Sequence, residues 1–333
     1  MVIRIGIVGT GYAARARAKA IEDDGRSRLV AVASQDFRRA EQFAHAHDHL
    51  QDQVCEVRAV ETWRSLVLDD ALDLVIVATV SSLHGDIVEA ALEAGKHVVV
   101  EYPLSLDVEQ AARLVALAAQ KEVLLHVEHI ELLGGLHRAM QAGIAKIGEV
   151  KYINYRTLNP QNPAPRKWTY NKALFGFAYF GALSRVQRLV NVLGDVSQVS
   201  CCTRYVGEGE DGWFRGVLSS ARLAFVSGAV AEVTYGKGEG LWLKRREIEA
   251  QGSLGAVSFV GNDGKLVTAD GERAIAVEPR KGLFKKDMDA VLSYLTEHKP
   301  LYVSAAESLY ALSVADALRR ASERQELVNV KNA

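Results

Sequence analysis

The most restrictive feature of this chain is a six-residue run directly after its first apolar strand: Gly9-Thr10-Gly11-Tyr12-Ala13-Ala14, preceded by Ile3–Val8 and leading into a helical pattern. The first glycine permits a tight turn and the second lets backbone approach a pyrophosphate. The small Ala14 allows close packing of helix on strand. Phosphates would then rest on free N–H groups at the helix N-terminus. Such a turn alone is a weak signal; its place at residue 9, and the alternation of strands and helices after it, make it the signature of a dinucleotide site.

That alternation runs to about residue 130. Short β-branched runs at 3–8, 29–33, 74–78, 97–101 and 123–126 are separated by helical stretches. One such stretch is 83–94, closed by Gly95, and another is Val108–Gln120, opened by Asp107. This order predicts a parallel sheet covered by helices. From Glu149 a period of two takes over, at 150–155, 197–205, 223–235, 241–250 and 256–260, and predicts an antiparallel sheet with one covered face. A helical stretch at 175–193 would cover it, and helices at 284–298 and 304–323 end the chain. The expected fold is therefore α/β plus α+β: a doubly wound Rossmann domain over 1–128, then a large open antiparallel sheet covered by helices over 129–333. The last helices are candidates to pack back on the Rossmann domain.

Composition narrows the function. The 333 residues carry 40 Lys+Arg against 41 Asp+Glu, a balance that argues against nucleic acid or an anionic membrane as partner. No apolar run approaches the ~20 residues of a membrane helix. The opening residues read as a buried strand and not as an export leader, so a cytoplasmic protein is expected. Cys55, Cys201 and Cys202 can build neither a disulfide framework nor a zinc site, which suits a reducing compartment and predicts no metal.

The cofactor choice lies at the end of the second strand, where Ser34-Gln35-Asp36-Phe37-Arg38-Arg39 follows. No acid stands at the strand terminus to take ribose hydroxyls, while a hydroxyl and two guanidinium groups suit a 2′-phosphate. NADPH is thus the preferred cofactor, with Asp36 keeping NADH use open. The alternative is that Arg38 and Arg39 are ordinary solvated residues opening a helix.

The stretch Ala78-Thr79-Val80-Ser81-Ser82-Leu83-His84, followed by Ala94-Gly95-Lys96-His97-Val98-Val99-Val100-Glu101-Tyr102-Pro103-Leu104, resembles the glucose-fructose oxidoreductase and inositol dehydrogenase (Gfo/Idh/MocA) superfamily over nearly the whole chain. Its members carry A-G-K-H-V and then E-K-P. Here Tyr102 replaces that lysine, and the D-x-G-x-H-x-x-D helix aligns with Phe180-Gly181-Ala182-Leu183-Ser184-Arg185-Val186-Gln187, without its acids or histidine. A sugar dehydrogenase needs a base for the alcohol proton.

Both departures resemble the biliverdin reductase branch, as do Glu101-Tyr102-Pro103, Ala118-Ala119-Gln120-Lys121, His126-Val127-Glu128-His129-Ile130-Glu131-Leu132-Leu133 and the segment from Gly176 to Val186. The resemblance implies NADPH-dependent reduction of the central methine bridge of a linear tetrapyrrole. Catalytic roles would fall to Arg185 and Tyr102. Thr79, Val80, Ser81, His84, Glu101 and Tyr102 would join the glycine run at the cofactor. Tyr102, Glu128, His129, Lys172, Arg185 and Arg188 would meet the substrate. If the strand persists past His126, Glu128 and Ile130 would share its face. A monomer or weak homo-oligomer is expected. The alternatives are a sugar- or dihydrodiol-type dehydrogenase, or a non-catalytic NADP(H) sensor.

Overall fold

The structure is a computed structural model that describes residues 2–48 and 56–330; Cys55 lies outside the described residues. The first elements in chain order are β1 (Ile3–Val8), α1 (Tyr12–Glu22), β2 (Ser27–Ala33), α2 (Phe37–Asp48), β3 (Arg58–Val60), α3 (Trp63–Val67), β4 (Leu74–Val77), α4 (His84–Glu93), β5 (His97–Val100), α5 (Val108–Gln120) and β6 (Leu125–Val127). They are followed by α6 (Gly135–Ile144), β7 (Val150–Pro160), α7 (Lys172–Phe175), α8 (Ala178–Gly181), α9 (Leu183–Leu193), β8 (Val196–Val206), β9 (Gly216–Phe225), β10 (Val230–Gly238), β11 (Arg245–Gly252), β12 (Gly255–Val260), β13 (Asp263–Thr268) and β14 (Gly271–Ile275). The chain closes with α10 (Leu283–Glu297), α11 (Ala305–Arg324) and β15 (Val328–Asn329).

Two compact units result, one of Met1–Ile130 with Gly282–Leu309, the other of Glu131–Lys281 with Tyr310–Ala333. The first unit holds six strands in the order β3-β2-β1-β4-β5-β6, every pair parallel. Leu74, Val75, Ile76 and Val77 are all fully buried, which is why β4 reads as an unbroken apolar run with helices on both faces. The strand order reverses between β1 and β4, the switch point where such sheets bind ligands. α10 belongs to this unit: Met288 and Val291 join Ile5, Ala14, Ala18 and Ile21 in its core.

The second unit carries a nine-stranded sheet, β14-β13-β12-β11-β7-β10-β9-β8-β15. It is mostly antiparallel, but β10 runs parallel to β7, which corrects the purely antiparallel expectation. Period-two alternation reports which face is buried and carries no information on strand direction. The run at 223–235 is two strands, β9 and β10, joined by a turn in which Gly228 has φ +88°. The expected strand at 241–250 begins only at Arg245, and Trp242 before it is 85% exposed. The expectation does not include β13 and β14, because every residue of both strands is at least partly exposed and no buried face sets a period.

The helix expected at 175–193 is three helices. Gly176 turns at φ +79°, and the Phe175 ring lies so close to Gly181 that a Cβ there would be 1.7 Å from it. A continuous helix accommodates neither feature.

Candidate active site

Sequence and backbone meet most tightly at Gly9. Its φ of +123° lies in the region L side chains avoid, and a Cβ would sit 2.1 Å from the Ala78 carbonyl oxygen at the end of β4. Gly11, the N-cap of α1, offers no side-chain cap; a Cβ there would meet nothing within 4 Å, and no acid stands in the helix's first turn. These free N–H groups, with open space before them, fit a dinucleotide pyrophosphate. Thr10 uses its carbonyl to take Arg15, Tyr12 is 72% exposed and forms a T-shaped pair with Phe284, Ala13 is half-buried, and Ala14 is buried as expected.

Past β2, Ser34 is half-buried and Gln35, Arg38 and Arg39 are exposed. Neither guanidinium has an ion pair among the described residues. Asp36, in contrast, accepts the Arg38 N–H at 3.1 Å and so caps α2. Thr79, Val80 and Ser81 follow β4 and lead into a 3-10 turn. His84 is 1% exposed; its Nδ1 lies 2.8 Å from the Pro103 carbonyl and its Nε2 3.3 Å from that of Thr79. Burial lowers its pKa, so the neutral ring holds the loop after β5 to the start of α4.

Glu101, just after β5, opens a buried polar network that no sequence motif announces. It accepts Arg17 Nε at 2.7 Å, and Arg17 Nη1 reaches Asp287 Oδ2 at 2.7 Å. Asp287 also meets His126 Nε2 at 2.8 Å and accepts the Tyr302 hydroxyl. Arg17 and Asp287 are fully buried. Burial alone would lower the Arg17 pKa and raise that of Asp287, but the carboxylates hold the arginine charged, and Arg17 with His126 holds Asp287 below the usual carboxylate range. β6 stops at Val127, so the expected shared face of His126, Glu128 and Ile130 does not form, and the partner of His126 is Asp287. Glu128 turns inward and accepts the Ile130 N–H at 2.6 Å. Burial, then the charges of Glu101 and Asp287, push its carboxyl well up.

Tyr102 is half-buried, and its ring lies on that of His129, with centroids 5.7 Å apart and planes 2° apart. His129 itself is 1% exposed.

In the second unit, Arg185 stands near the start of α9. Its Nη1 donates to Ser184 Oγ at 3.0 Å, and its guanidinium lies 5.3 Å from the centroid of the Tyr235 ring. One turn on, Arg188 is 2% exposed, donates to the Tyr155 hydroxyl and lies 3.3 Å from Glu131, which also takes Arg280. Its charge is thus matched inside the protein. Lys172 pairs with Glu208, its amine 3.8 Å from the centroid of the Tyr205 ring. Lys237 was missed: its amine donates to the Thr169 carbonyl and lies 3.7 Å from the centroid of Phe175, and burial lowers its pKa to about 7. The signal was there, since alternation along β10 puts Lys237 on the covered face with Val233 and Tyr235.

Burial, and for His129 a neighbouring His126, lowers its pKa to about 3; burial and Arg188 lower that of His137 to about 4. Both lie below the unfolded value of ~6.5, so below that pH the unfolded chain takes up protons that the folded chain refuses. Each histidine by itself is expected to leave stability level from pH 7 to 8 and to lower it by roughly 2 kcal/mol by pH 5, while the raised carboxyl of Glu128 acts in the opposite direction. Urea midpoints of the parent and of His137→Phe at pH 7 and pH 5 check it, because the variant lacks that histidine's contribution, and an equal change in both proteins refutes it.

Among the described residues no helix is long and apolar enough to cross a membrane, and no three His, Cys, Asp or Glu are grouped to hold a metal.

The chain matches the model "Oxidoreductase family, NAD-binding Rossmann fold" over residues 3–129 and "Oxidoreductase family, C-terminal alpha/beta domain" over 143–330. It is 27% identical to mouse biliverdin reductase A, covering 96% of each chain, and 23% identical to inositol 2-dehydrogenase of Rhizobium meliloti, covering 98% of this chain and 99% of that one. Among solved structures it is similar to biliverdin reductase from Synechocystis sp. PCC 6803 in complex with biliverdin and NADP+, at 45% identity and a TM-score of 0.91, over 96% of this chain and 99% of that one. With both halves matched, and biliverdin reductases among its homologues, the chain belongs to the Gfo/Idh/MocA oxidoreductase family and is a nicotinamide-dependent oxidoreductase.

Proposed function

We propose that the chain is a biliverdin reductase that uses NADPH. The observation that carries this reading is the side-chain chemistry at two positions. The residue after Glu101 is a phenol and not an amine, and α9, Leu183–Leu193, contains Arg185 but no carboxylic acid and no imidazole. Oxidation of a sugar alcohol needs a group to take the hydroxyl proton, and neither position supplies one. Reduction of a flat conjugated bilin needs aromatic surface, cations for its propionates and a hydrogen-bond donor.

Tyr102 fits the first and last of these needs, because a phenol of pKa near ~10 stays protonated at neutral pH. Arg185 is the cation: always charged, it holds and polarises an anionic conjugated ligand but is a poor free acid, so protonation of the pyrrole nitrogen would pass through the substrate or a water. The free N–H groups at Gly11 would hold the dinucleotide pyrophosphate, and Arg38 and Arg39 its 2′-phosphate. Bound there, NADPH supplies the hydride for the methine bridge. The similarity to the Synechocystis enzyme, at 45% identity, supports the same reading.

The test is an absorbance scan of the purified protein with biliverdin and either NADPH or NADH. Conversion of green to yellow pigment with loss of nicotinamide absorbance is expected. Dinucleotide binding without any spectral change would overturn the reading in favour of a sensor, and polyol oxidation without bilin reduction in favour of a sugar enzyme. Arg38→Ala and Arg39→Ala are each expected to weaken NADPH binding about ten-fold and to leave NADH within two-fold, because only NADPH carries the phosphate they would pair. Equal losses for both dinucleotides would remove the arginines from the phosphate site.

A further inference from the structure

His129 stood among the residues expected to meet substrate, yet its surroundings give it a different task. The ring is 1% exposed, its Nε2 lies 2.8 Å from Ser308 Oγ, and its backbone N–H donates to the Tyr302 hydroxyl oxygen at 3.2 Å. Tyr302 is fixed in turn by donating to the buried Asp287. The imidazole is therefore anchored by side chain and by main chain, on groups that come from the segment Gly282–Leu309 of the same unit. Against this anchored ring lies Tyr102, parallel to within 2°. A half-buried tyrosine with one face on an immobile ring cannot tilt without giving up the stack, and offset-stacked rings at this spacing attract each other. Burial keeps the imidazole uncharged, so it acts as a shelf and not as a cation beside the phenol.

We propose that His129 is a positioning residue, which sets the plane of the Tyr102 ring toward a flat conjugated ligand and is itself set by Ser308 and Tyr302. The kinetic half of the proposal rests on Tyr102 meeting the substrate. The ring geometry does not, and the experiment separates the two. 3-Fluorotyrosine placed at position 102 of the full chain reports the ring by fluorine NMR. One narrow line is expected in the parent. In His129→Ala the line shifts and changes width, in His129→Phe it returns toward the parent position, and in Ser308→Ala it falls between. A line unmoved in His129→Ala overturns the proposal whether or not the protein reduces bilins.

In parallel, His129→Ala is expected to lower kcat for biliverdin about ten-fold with a smaller change in KM, and His129→Phe to recover most of that loss. In a Tyr102→Leu background His129→Ala should cost nothing further, because its effect runs through the ring that is gone. Equal losses in both backgrounds overturn the positioning role. A parent that turns over no biliverdin, while the fluorine line moves as stated, fails the reductase reading and leaves the ring positioning standing. His129→Phe, which keeps a flat ring at the position, guards against reading a misfolded alanine variant as support.

Discussion

Arg185→Ala is expected to lower kcat for biliverdin reduction by 10²- to 10³-fold, on the order of 3–4 kcal/mol, while the dissociation constant for NADPH stays within about two-fold. The size follows from what the residue is. A guanidinium held beside Ser184 and backed by the Tyr235 ring is a preorganised charge at fixed orientation, and removing such a group from a reaction that redistributes charge over a conjugated ligand has this order of effect. The selectivity follows from where it is. Arg185 belongs to α9 of the second unit, whereas the glycine run and the Arg38/Arg39 pair belong to the first. Arg185→Lys keeps the charge and loses the planar fork, and should fall between the two. Steady-state kinetics with a nucleotide-binding titration check all of this. Turnover within three-fold of the parent would remove Arg185 from the chemistry, and parallel loss of NADPH affinity would mean the substitution damaged the fold.

Asp287→Ala is expected to cost about 3–5 kcal/mol of stability, the range for breaking a buried ion pair from one side. At 2–4 °C per kcal/mol this lowers Tm by roughly 10 °C. The loss is large because Asp287 serves three partners at once, the buried Arg17 and His126 and the half-buried Tyr302: Arg17 keeps one carboxylate, Glu101, while His126 and Tyr302 lose their acceptor. Asp287→Asn keeps an acceptor for Tyr302 and should cost less than the alanine variant. The sign with pH is set by the direction of the shift. Because the folded-state pKa of Asp287 is held below the unfolded value, its contribution is complete at neutral pH and is lost as pH falls from about 4 downward. Glu128 acts oppositely: its carboxyl is raised by burial, so its ionisation works against folding as pH rises above about 4.5. Thermal melts at pH 7 check the main statement, and an alanine variant within 1 kcal/mol of the parent would show the network is not coupled to folding.

Much of this protein is written locally. The parallel sheet, the cradle at Gly9 and Gly11 and the covered sheet of the second half follow from periodicity and turn chemistry within windows of a dozen residues, because burial of one face imposes a period that any such window carries. The departures at Tyr102 and on α9 were legible for the same reason, each lying inside a contiguous stretch that resembles a family motif. What needed the tertiary structure is what joins distant segments. Arg17 and Asp287 are 270 positions apart, and nothing around either announces a buried ion pair. His129 read as a residue for substrate from the motif that contains it, and only the packing of Tyr302 and Ser308 shows that its backbone N–H and its Nε2 have partners within the unit. Arg188 read as a cation for the substrate, and only the fold shows that Glu131 and Tyr155 reach it across the unit. The direction of β10 beside β7 was likewise decided by neighbours far along the chain, whereas the break of one expected helix lies within its own stretch, at Gly176 and at Gly181 beside Phe175. Local pattern determined which elements form and which face of each is buried; which charges pair and which rings stack was decided by long-range packing, because a burial period records that a side chain is covered and not what covers it.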